Sequence, residues 1–477
     1  MLFNSATFLL FLPAAFAVYW AVRDSVRAQN LVVVVASYVF YGWWDWRFLL
    51  LIAFISAWSY AVGLVEMRRW ERRPSKLLLA AGLAVNLGIL GYFKYCDFFI
   101  DQAVALLNWA GMETGVHSLG VVLPVGISFY TFQALSYTID IYRRQVRPTR
   151  DPVAFFAFIS FFPQLVAGPI ERASNLLPQF LRQRTFDYPR AVTGCRQMLW
   201  GFFKKMVVAD NCAAVANAIL NDPGQHNGLA VWVGLAFFAV QVYGDFSGYS
   251  DIAIGCARLF GIDLMRNFAY PYFARDIAEF WRRWHMSLTT WFRDYLYIPL
   301  GGSRCSRMRQ VRNTFAIFLV SGLWHGADWT FVLWGVFHAA LFLPLMLAGR
   351  NRRNLGSTAA SGCVSVRELG GIVLTDFLVI VGWAFFRAQD STECARWFVA
   401  MLSPASWTAV RGIPHEFGTA IAAAIVLFSV EWLARFRQFA LERVPGPTCV
   451  RWAVYISIIA AIVLFAPVGQ SFIYFQF

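Results

Sequence analysis

The chain has 477 residues, of which 59% are hydrophobic and only 14% are charged, and its formal net charge is +14. A soluble domain carries about 25% charged residues, so the deficit indicates that lipid is the main solvent of this chain. The positive charge is interpreted as loop charge of a membrane protein, and no nucleic-acid partner is expected. The cysteines form no CxxC pair, which argues against a disulfide framework and against a zinc site.

Apolar runs of about 20 residues, the length that crosses a bilayer as a helix, recur along most of the chain. The N-terminal run lacks a basic start and a cleavage site, so we interpret it as a retained first helix. The sequence predicts an all-α, polytopic membrane protein that forms one domain over residues 1–477. In chain order, the predicted spans are 6–22, two helices within 31–65 that turn at WWDWR, 77–93, 121–142, 229–257, 329–347, 370–386, 418–433 and 452–467.

Lysine and arginine are concentrated in particular loops, and such loops face the cytoplasm in membrane proteins. Both termini are then predicted to lie outside, as are the segments 221–228 and 388–417, which are poor in basic residues. The segment 258–312 contains ten arginines and many aromatic residues, so it is expected on the cytoplasmic face at the interface. The other basic, cytoplasmic loops are 66–76, 143–150, 350–353 and 435–443.

Two short apolar segments lie between basic residues and are predicted to enter the membrane and return on the same side. One covers 155–168 and is broken by prolines, and the other covers 313–324 and turns at WHGAD. This turn would place His325 at membrane depth, on irregular backbone that needs protein or a water-filled cavity around it. Gly322 and Gly326 are expected to leave room there for a substrate.

Few side chains remain that could carry chemistry. His117, His226 and His415 fall in predicted outside loops, and His338 is expected to be a hydrogen-bonded structural residue. Asp245 and Asp251 are carboxylates within an apolar run, which makes them functional candidates, with pairing to arginines or helix capping as the equal alternative. Near His285, the arginines 282, 283 and 293 could bind phosphates or lipid headgroups, or could anchor the chain at the membrane surface.

The absence of known motifs argues against several enzyme classes. The sequence has no HExxH metal site, no GxSxG nucleophile turn and no Walker loop. What remains is a histidine in a membrane cavity that can accept a proton from a hydroxyl group.

The segments EFWRRWHMSLTTWFRDYLYIPLGGSR and SGLWHGADWTFVLWGVFH resemble those of the membrane-bound O-acyltransferase family. The similarity extends over nearly the whole chain and is strongest to the bacterial branch that includes alginate O-acetyltransferases. It implies a ring of about 11 transmembrane helices, with short or re-entrant helices, around a central funnel. It also implies that His325 is the catalytic histidine and His285 a second important histidine that positions or polarises the thioester.

The resemblance implies acetyl transfer from a cytoplasmic thioester, acetyl-CoA, across the bacterial inner membrane to an extracellular polysaccharide. No tightly bound cofactor or metal is expected. The expected partners are a periplasmic esterase-like acetyltransferase, a polysaccharide synthase complex and membrane lipid. The expected substrate-binding residues are Arg282, Arg283, Arg293, Trp324 and Asp245. Two alternatives stay open: transfer of D-alanine or another acyl group from a carrier protein, and a transporter or flippase, for which no internal repeat is found.

Overall fold

A computed structural model describes residues 1–222, 227–356, 358–359, 364–408, 410, 412–467 and 472–473. All regular secondary structure in these residues is helical. In chain order the helices are α1 (Ala6–Ala21), α2 (Val26–Gly42), α3 (Leu49–Arg68), α4 (Lys76–Trp109), α5 (Ile127–Tyr142), α6 (Pro152–Ser160), α7 (Phe162–Leu165), α8 (Ala173–Phe180), α9 (Tyr188–Phe202), α10 (Asp210–Leu220), α11 (Gly228–Leu259), α12 (Ile277–Arg283), α13 (Met286–Phe292), α14 (Arg307–His325), α15 (Trp329–Leu347), α16 (Val366–Arg387), α17 (Ser391–Leu402), α18 (Glu416–Leu433) and α19 (Thr448–Phe465).

Short irregular helices join some of these elements. Wider, π-helical turns continue α9 into α10 and extend α13, at Phe203–Ala209 and Arg293–Tyr297. Tight 3₁₀ turns occur at Trp46–Phe48, Pro271–Phe273 and Pro404–Ser406. The first of these separates α2 from α3, so the predicted turn at WWDWR is confirmed.

Seven helices in the described part of the chain are long and apolar enough to cross a membrane. They are Trp46–Arg68, which includes α3 and the turn before it, and α4, α11, α15, α16, α18 and α19. The predicted all-α membrane protein is confirmed, whereas the count of about 11 spanning helices and the ring around a funnel stay predictions. One difference is α5, which begins at Ile127 because Gly126 adopts a left-handed conformation with φ of 75°.

The chain divides into two compact units: Met1–Ala191 with Cys256–Met265 form unit 1, and Val192–Gly255 with Arg266–Phe477 form unit 2. In unit 1, α2 packs against α6, and the predicted short segment 155–168 appears as α6 and α7. The two helices are separated at Phe161, and Pro163 is accommodated in the first turn of α7, where its missing N–H is not needed.

In unit 2, α14 and α15 form an antiparallel hairpin with the most extensive helix contact of the chain. Its turn lies within WHGAD, as predicted, and Asp328 caps α15 by accepting from the Thr330 backbone N–H at 2.7 Å. The prediction that His325 lies on irregular backbone was wrong, because the helix continues through His325 and ends only at Gly326. However, α14 has 19 residues, a length of about 28 Å. The short arm predicted over 313–324 was therefore wrong in length, because the basic segment from Arg307 continues the same helix.

Candidate active site

His325 is the last residue of α14 and lies inside unit 2, with 6% of its surface exposed. Three aromatic rings surround its imidazole. The ring centroids of Trp324, Trp334 and Phe386 lie 4.9, 5.3 and 5.2 Å from that of His325. The histidine is thus held in an aromatic pocket formed by α14, α15 and α16, close to a helix C-terminus, where carbonyl groups favour a positive charge.

The glycines beside His325 do not leave space for a substrate. A Cβ atom on Gly322 would clash with the carbonyl oxygen of Phe331, and one on Gly326 would clash with the phenyl ring of that residue. The prediction of room at these glycines was therefore wrong. Their small size is used for close contact between α14 and α15.

His285 is equally buried and precedes α13, with a left-handed backbone at φ 44° and ψ 53°. This conformation is uncommon for a residue with a side chain and is concentrated at functional sites. Its Nδ1 lies 3.1 Å from Asn267 Oδ1, and the Phe246 ring is nearly perpendicular to the imidazole, at 4.6 Å between centroids. Burial lowers the pKa of His285 to about 3, so the imidazole is neutral near pH 7.

Trp324 contacts both histidines. Its ring centroid lies 5.8 Å from that of His285 and 4.9 Å from that of His325. The structure therefore brings together three of the predicted site residues, which come from two motifs about 40 positions apart in the sequence. We refer to His285, Trp324 and His325 as the histidine cluster.

The predicted arginines have different surroundings. Arg282 donates to the carbonyl oxygens of Asn351 and Asn354 at 2.6 and 2.8 Å. Arg283 forms an ion pair with Glu279 at 2.5 Å. These two side chains hold the protein's own loop and helix, while Arg293 is exposed and paired with Asp294 at 2.7 Å. A contact of any of the three with donor phosphates stays a prediction.

The carboxylates of α11 lie in a buried cluster of charges. Asp245 is 2.9 Å from Lys205 Nζ and accepts from the Ile473 backbone N–H at 2.8 Å. Asp251 pairs with Lys204 at 2.5 Å. The pairing alternative is therefore observed for both aspartates, with lysines as the partners, and none of the histidine-cluster residues takes part in these bonds.

Sequence reasoning missed the lysines and the residues that bind His285. Lys204 and Lys205 lie in the run FFKKMVV, and two adjacent charges in an apolar run were a signal that could have found them. Asn267 and Ser250 carry no comparable signal, because a single amide or hydroxyl is common in any helix or loop.

The other histidines have different surroundings. His338 is buried among aromatic rings, with Trp281 and Trp334 each 4.9 Å away between centroids. His226 and Cys363 lie outside the described residues, as do Tyr474–Phe477 of the terminal FIYFQF segment. Within the described part of the chain, no group of three or more His, Cys, Asp or Glu residues could hold a metal ion.

The comparison with protein families gives a match over residues 17–367 to the membrane-bound O-acyltransferase family, a range that contains the whole histidine cluster. The chain belongs to this family. The chain is 41% identical over 409 residues to the "Probable alginate O-acetylase AlgI" of Pseudomonas aeruginosa. The aligned residues cover 85% of this chain and 76% of that protein.

Two more distant relatives are similar to this chain. The peptidoglycan O-acetyltransferase of Helicobacter pylori is 33% identical over 420 residues, with 82% of this chain and 77% of that protein covered. The teichoic acid D-alanyltransferase of Bacillus subtilis is 28% identical over 285 residues, which cover 56% of this chain and 71% of that protein. The family membership and the apolar helices show that this chain is a multi-pass membrane acyltransferase.

Proposed function

We propose that this protein takes an acetyl group from acetyl-CoA in the cytoplasm and passes it across the bacterial inner membrane for O-acetylation of an extracellular polysaccharide. The observation that carries the proposal is the histidine cluster: two buried imidazoles, both in contact with Trp324, within the region that matches the acyltransferase family. The 41% identity to proteins named as probable alginate O-acetylases supports acetyl rather than another acyl group, and alginate or a similar polymer such as cellulose as the substrate.

The proposed chemistry needs one proton acceptor. His325 takes the proton of the attacking hydroxyl while the oxygen forms a bond to the acetyl carbon, and the C–S bond of the thioester then breaks. The proton passes to the departing sulfur, so that the products are an ester and a thiol and no proton is consumed. General base catalysis of this kind contributes about 10²–10⁴-fold in rate. His285 positions the substrate beside His325.

The remaining parts of the proposal concern the surroundings of the chain. A funnel that opens to the cytoplasm lets donor and acceptor meet without either crossing the bilayer alone. A periplasmic esterase-like partner then transfers the acetyl group to the polymer, beside a polysaccharide synthase complex. Transfer of D-alanine is the second candidate, supported by the 28% identity to the teichoic acid D-alanyltransferase.

The test uses membranes that contain equal amounts of folded protein, with acetyl-labelled acetyl-CoA supplied on the cytoplasmic side. His325→Gln keeps hydrogen bonding but removes the base, and we expect the label in base-labile esters to fall by about 10²–10⁴-fold. His117→Gln changes an exposed histidine and serves as the matched control. Substantial transfer by a folded His325→Gln variant would reject His325 as the base.

The same membranes distinguish the polymer and the acyl group. We expect labelled ester on alginate-type or cellulose-type polymer and none on peptidoglycan. A D-alanyl carrier protein in place of acetyl-CoA should give no transfer. Transfer from that carrier, together with inactivity towards acetyl-CoA, would replace the acetyl proposal by the D-alanyl one.

A further inference from the structure

A single amide side chain links His285 to α11. Asn267 is fully buried, and its Oδ1 lies 3.1 Å from His285 Nδ1. Its Nδ2 donates to the hydroxyl oxygen of Ser250 on α11 at 3.0 Å. Asn267 thus connects the imidazole to a long helix that is itself mostly buried.

The orientation of this amide follows from Ser287. The backbone N–H of Ser287 lies 3.3 Å from the amide atom that faces His285, and its hydroxyl donates to the same atom at 2.9 Å. A backbone N–H can only donate, so the atom that faces it must be the oxygen and not the NH₂ group. The NH₂ group is then the part that reaches Ser250.

The orientation of the amide determines the tautomer of His285. Nδ1 faces Asn267 Oδ1, which only accepts, and it also lies 3.4 Å from Ser287 Oγ, whose hydrogen is donated to the same Oδ1. Nδ1 must therefore carry the hydrogen. The imidazole is neutral and has one such hydrogen, so Nε2 has a free lone pair. Nε2 is buried and has no hydrogen-bond partner among the described residues. An unpaired buried acceptor is costly, and a bound substrate that donates a hydrogen bond would remove that cost.

Backbone bonds hold the same geometry from the other side. The Met286 N–H donates to the Asn267 carbonyl at 2.8 Å, and the Ala269 N–H donates to the Arg283 carbonyl at 2.9 Å. These bonds flank His285 and maintain its left-handed backbone, a strained conformation that persists only where the surroundings fix it. The position of the imidazole is therefore determined by both its side chain and its backbone.

We propose that Asn267, supported by Ser250, is a positioning residue that fixes His285 in the Nδ1–H tautomer, so that Nε2 accepts a hydrogen bond from an N–H or O–H group of the substrate. This tautomer cannot polarise the thioester by donating to its carbonyl oxygen, which leaves positioning as the role of His285. The proposal rests on the proposed function for the substrate, while the tautomer itself does not depend on it.

The first experiment measures the tautomer and needs no activity. The protein is labelled with ¹⁵N in its six histidines, and two-bond ¹⁵N–¹H correlations distinguish Nδ1–H from Nε2–H. The His285 signals are those lost in His285→Gln. We expect Nδ1–H in the wild type and a mixture of tautomers in Asn267→Leu. An Nε2–H tautomer in the wild type would overturn the proposal even if acetyl transfer is confirmed.

The second experiment compares Asn267→Leu with Asn86→Leu. Asn86 is also fully buried and donates to a backbone carbonyl at 2.9 Å, but it lies in unit 1. We expect acetyl transfer per folded molecule to fall about 10- to 100-fold only for Asn267→Leu, as when other orienting partners of a histidine are lost. An increase in KM for acetyl-CoA would assign the donated hydrogen to the donor. An increase in KM for the acceptor would assign it to an N–H or O–H group of the acceptor other than the attacking hydroxyl, whose single hydrogen goes to His325. Equal losses in the two variants would contradict the positioning role.

The third experiment uses pH and a variant of nearly the same shape. In Asn267→Asp, a carboxylate next to Nδ1 favours the charged imidazole and raises the pKa of His285. Below that raised pKa, Nε2 carries a hydrogen and no longer accepts. Protonation of the base His325 lowers the activity of both proteins as the pH falls. We therefore expect Asn267→Asp to show a second, additional loss of activity towards low pH, which the wild type lacks because its His285 stays neutral. A pH profile that is only scaled down would indicate a purely structural role.

Discussion

Gly322 lies directly against the backbone of Phe331, so that a methyl group on the glycine would clash with the carbonyl oxygen of that residue. Helices α14 and α15 meet there, immediately before His325. Backbone cannot move as a side chain can, so Gly322→Ala should destabilise the protein by about 1–3 kcal/mol, the usual cost of overpacking. The measurement is thermal unfolding in detergent.

Gly370→Ala is the matched control for that substitution. Gly370 is also helical, but no atom lies within 4 Å of its added Cβ. Alanine has the higher helix propensity, so this variant should keep or slightly increase the unfolding temperature. Equal unfolding temperatures for the two variants would show that the contact between α14 and α15 is not tight.

Lys205 is the cation between two buried carboxylates, at 2.8 Å from Asp210 and 2.9 Å from Asp245. Lys205→Met leaves both without this partner, and breaking a buried pair costs about 3–5 kcal/mol. The exposed pair of Arg293 with Asp294 is the control, and Arg293→Met should cost about 0–1 kcal/mol. Chemical or thermal unfolding in detergent gives both values, and similar stability of the two variants would contradict the prediction.

The sequence predicted the elements that depend on local chemistry. Long apolar runs located α11, α15 and α16, and the WHGAD turn was found because the apolar stretch around it lies between basic residues that belong on one side of the membrane. The sequence did not show that Arg282 reaches Asn351, or that Asn267 reaches both Ser250 and His285, because such contacts depend on tertiary arrangement. The two motif histidines were recognised as important, whereas their shared contact with Trp324 required the structure.

Arg282 donates to two backbone carbonyls of the segment 351–354, which follows α15. Arg282→Ala should release this segment, and limited proteolysis near Arg352 and Arg353 should become several-fold faster. Arg293→Ala, which removes an exposed arginine with no such bonds, should leave the proteolysis rate unchanged. If Arg282→Ala instead raised the KM for acetyl-CoA and left proteolysis unchanged, the arginine would be a direct donor contact.

The segment 258–312 carries ten arginines, and loops rich in basic residues stay in the cytoplasm. A fusion after Gly302 should therefore be active with a cytoplasmic reporter and inactive with a periplasmic phosphatase. A fusion after Asp222, in a segment poor in basic residues, should give the opposite pattern and shows that both reporters work. Phosphatase activity of the Gly302 fusion would reverse the predicted orientation of the whole chain.

Trp324 is buried and contacts the imidazoles of both His285 and His325. Trp324→Ala removes the ring that contacts both of them, and loss of a buried tryptophan side chain costs about 3–5 kcal/mol of stability. Trp397→Ala removes an equally buried indole in α17 and should have a similar effect on stability.

Only Trp324→Ala should also lose acetyl transfer per folded molecule, by at least about 10-fold, because a shift of about 1 Å in a catalytic group costs up to 10²-fold. Trp324→Phe keeps an aromatic ring and should retain more of the activity. The assay compares labelled ester formed per folded molecule, with the folded amount measured by size-exclusion chromatography in detergent. Equal specific activity of the Trp324→Ala and Trp397→Ala variants would show that the tryptophan fills space beside the histidines without determining their positions.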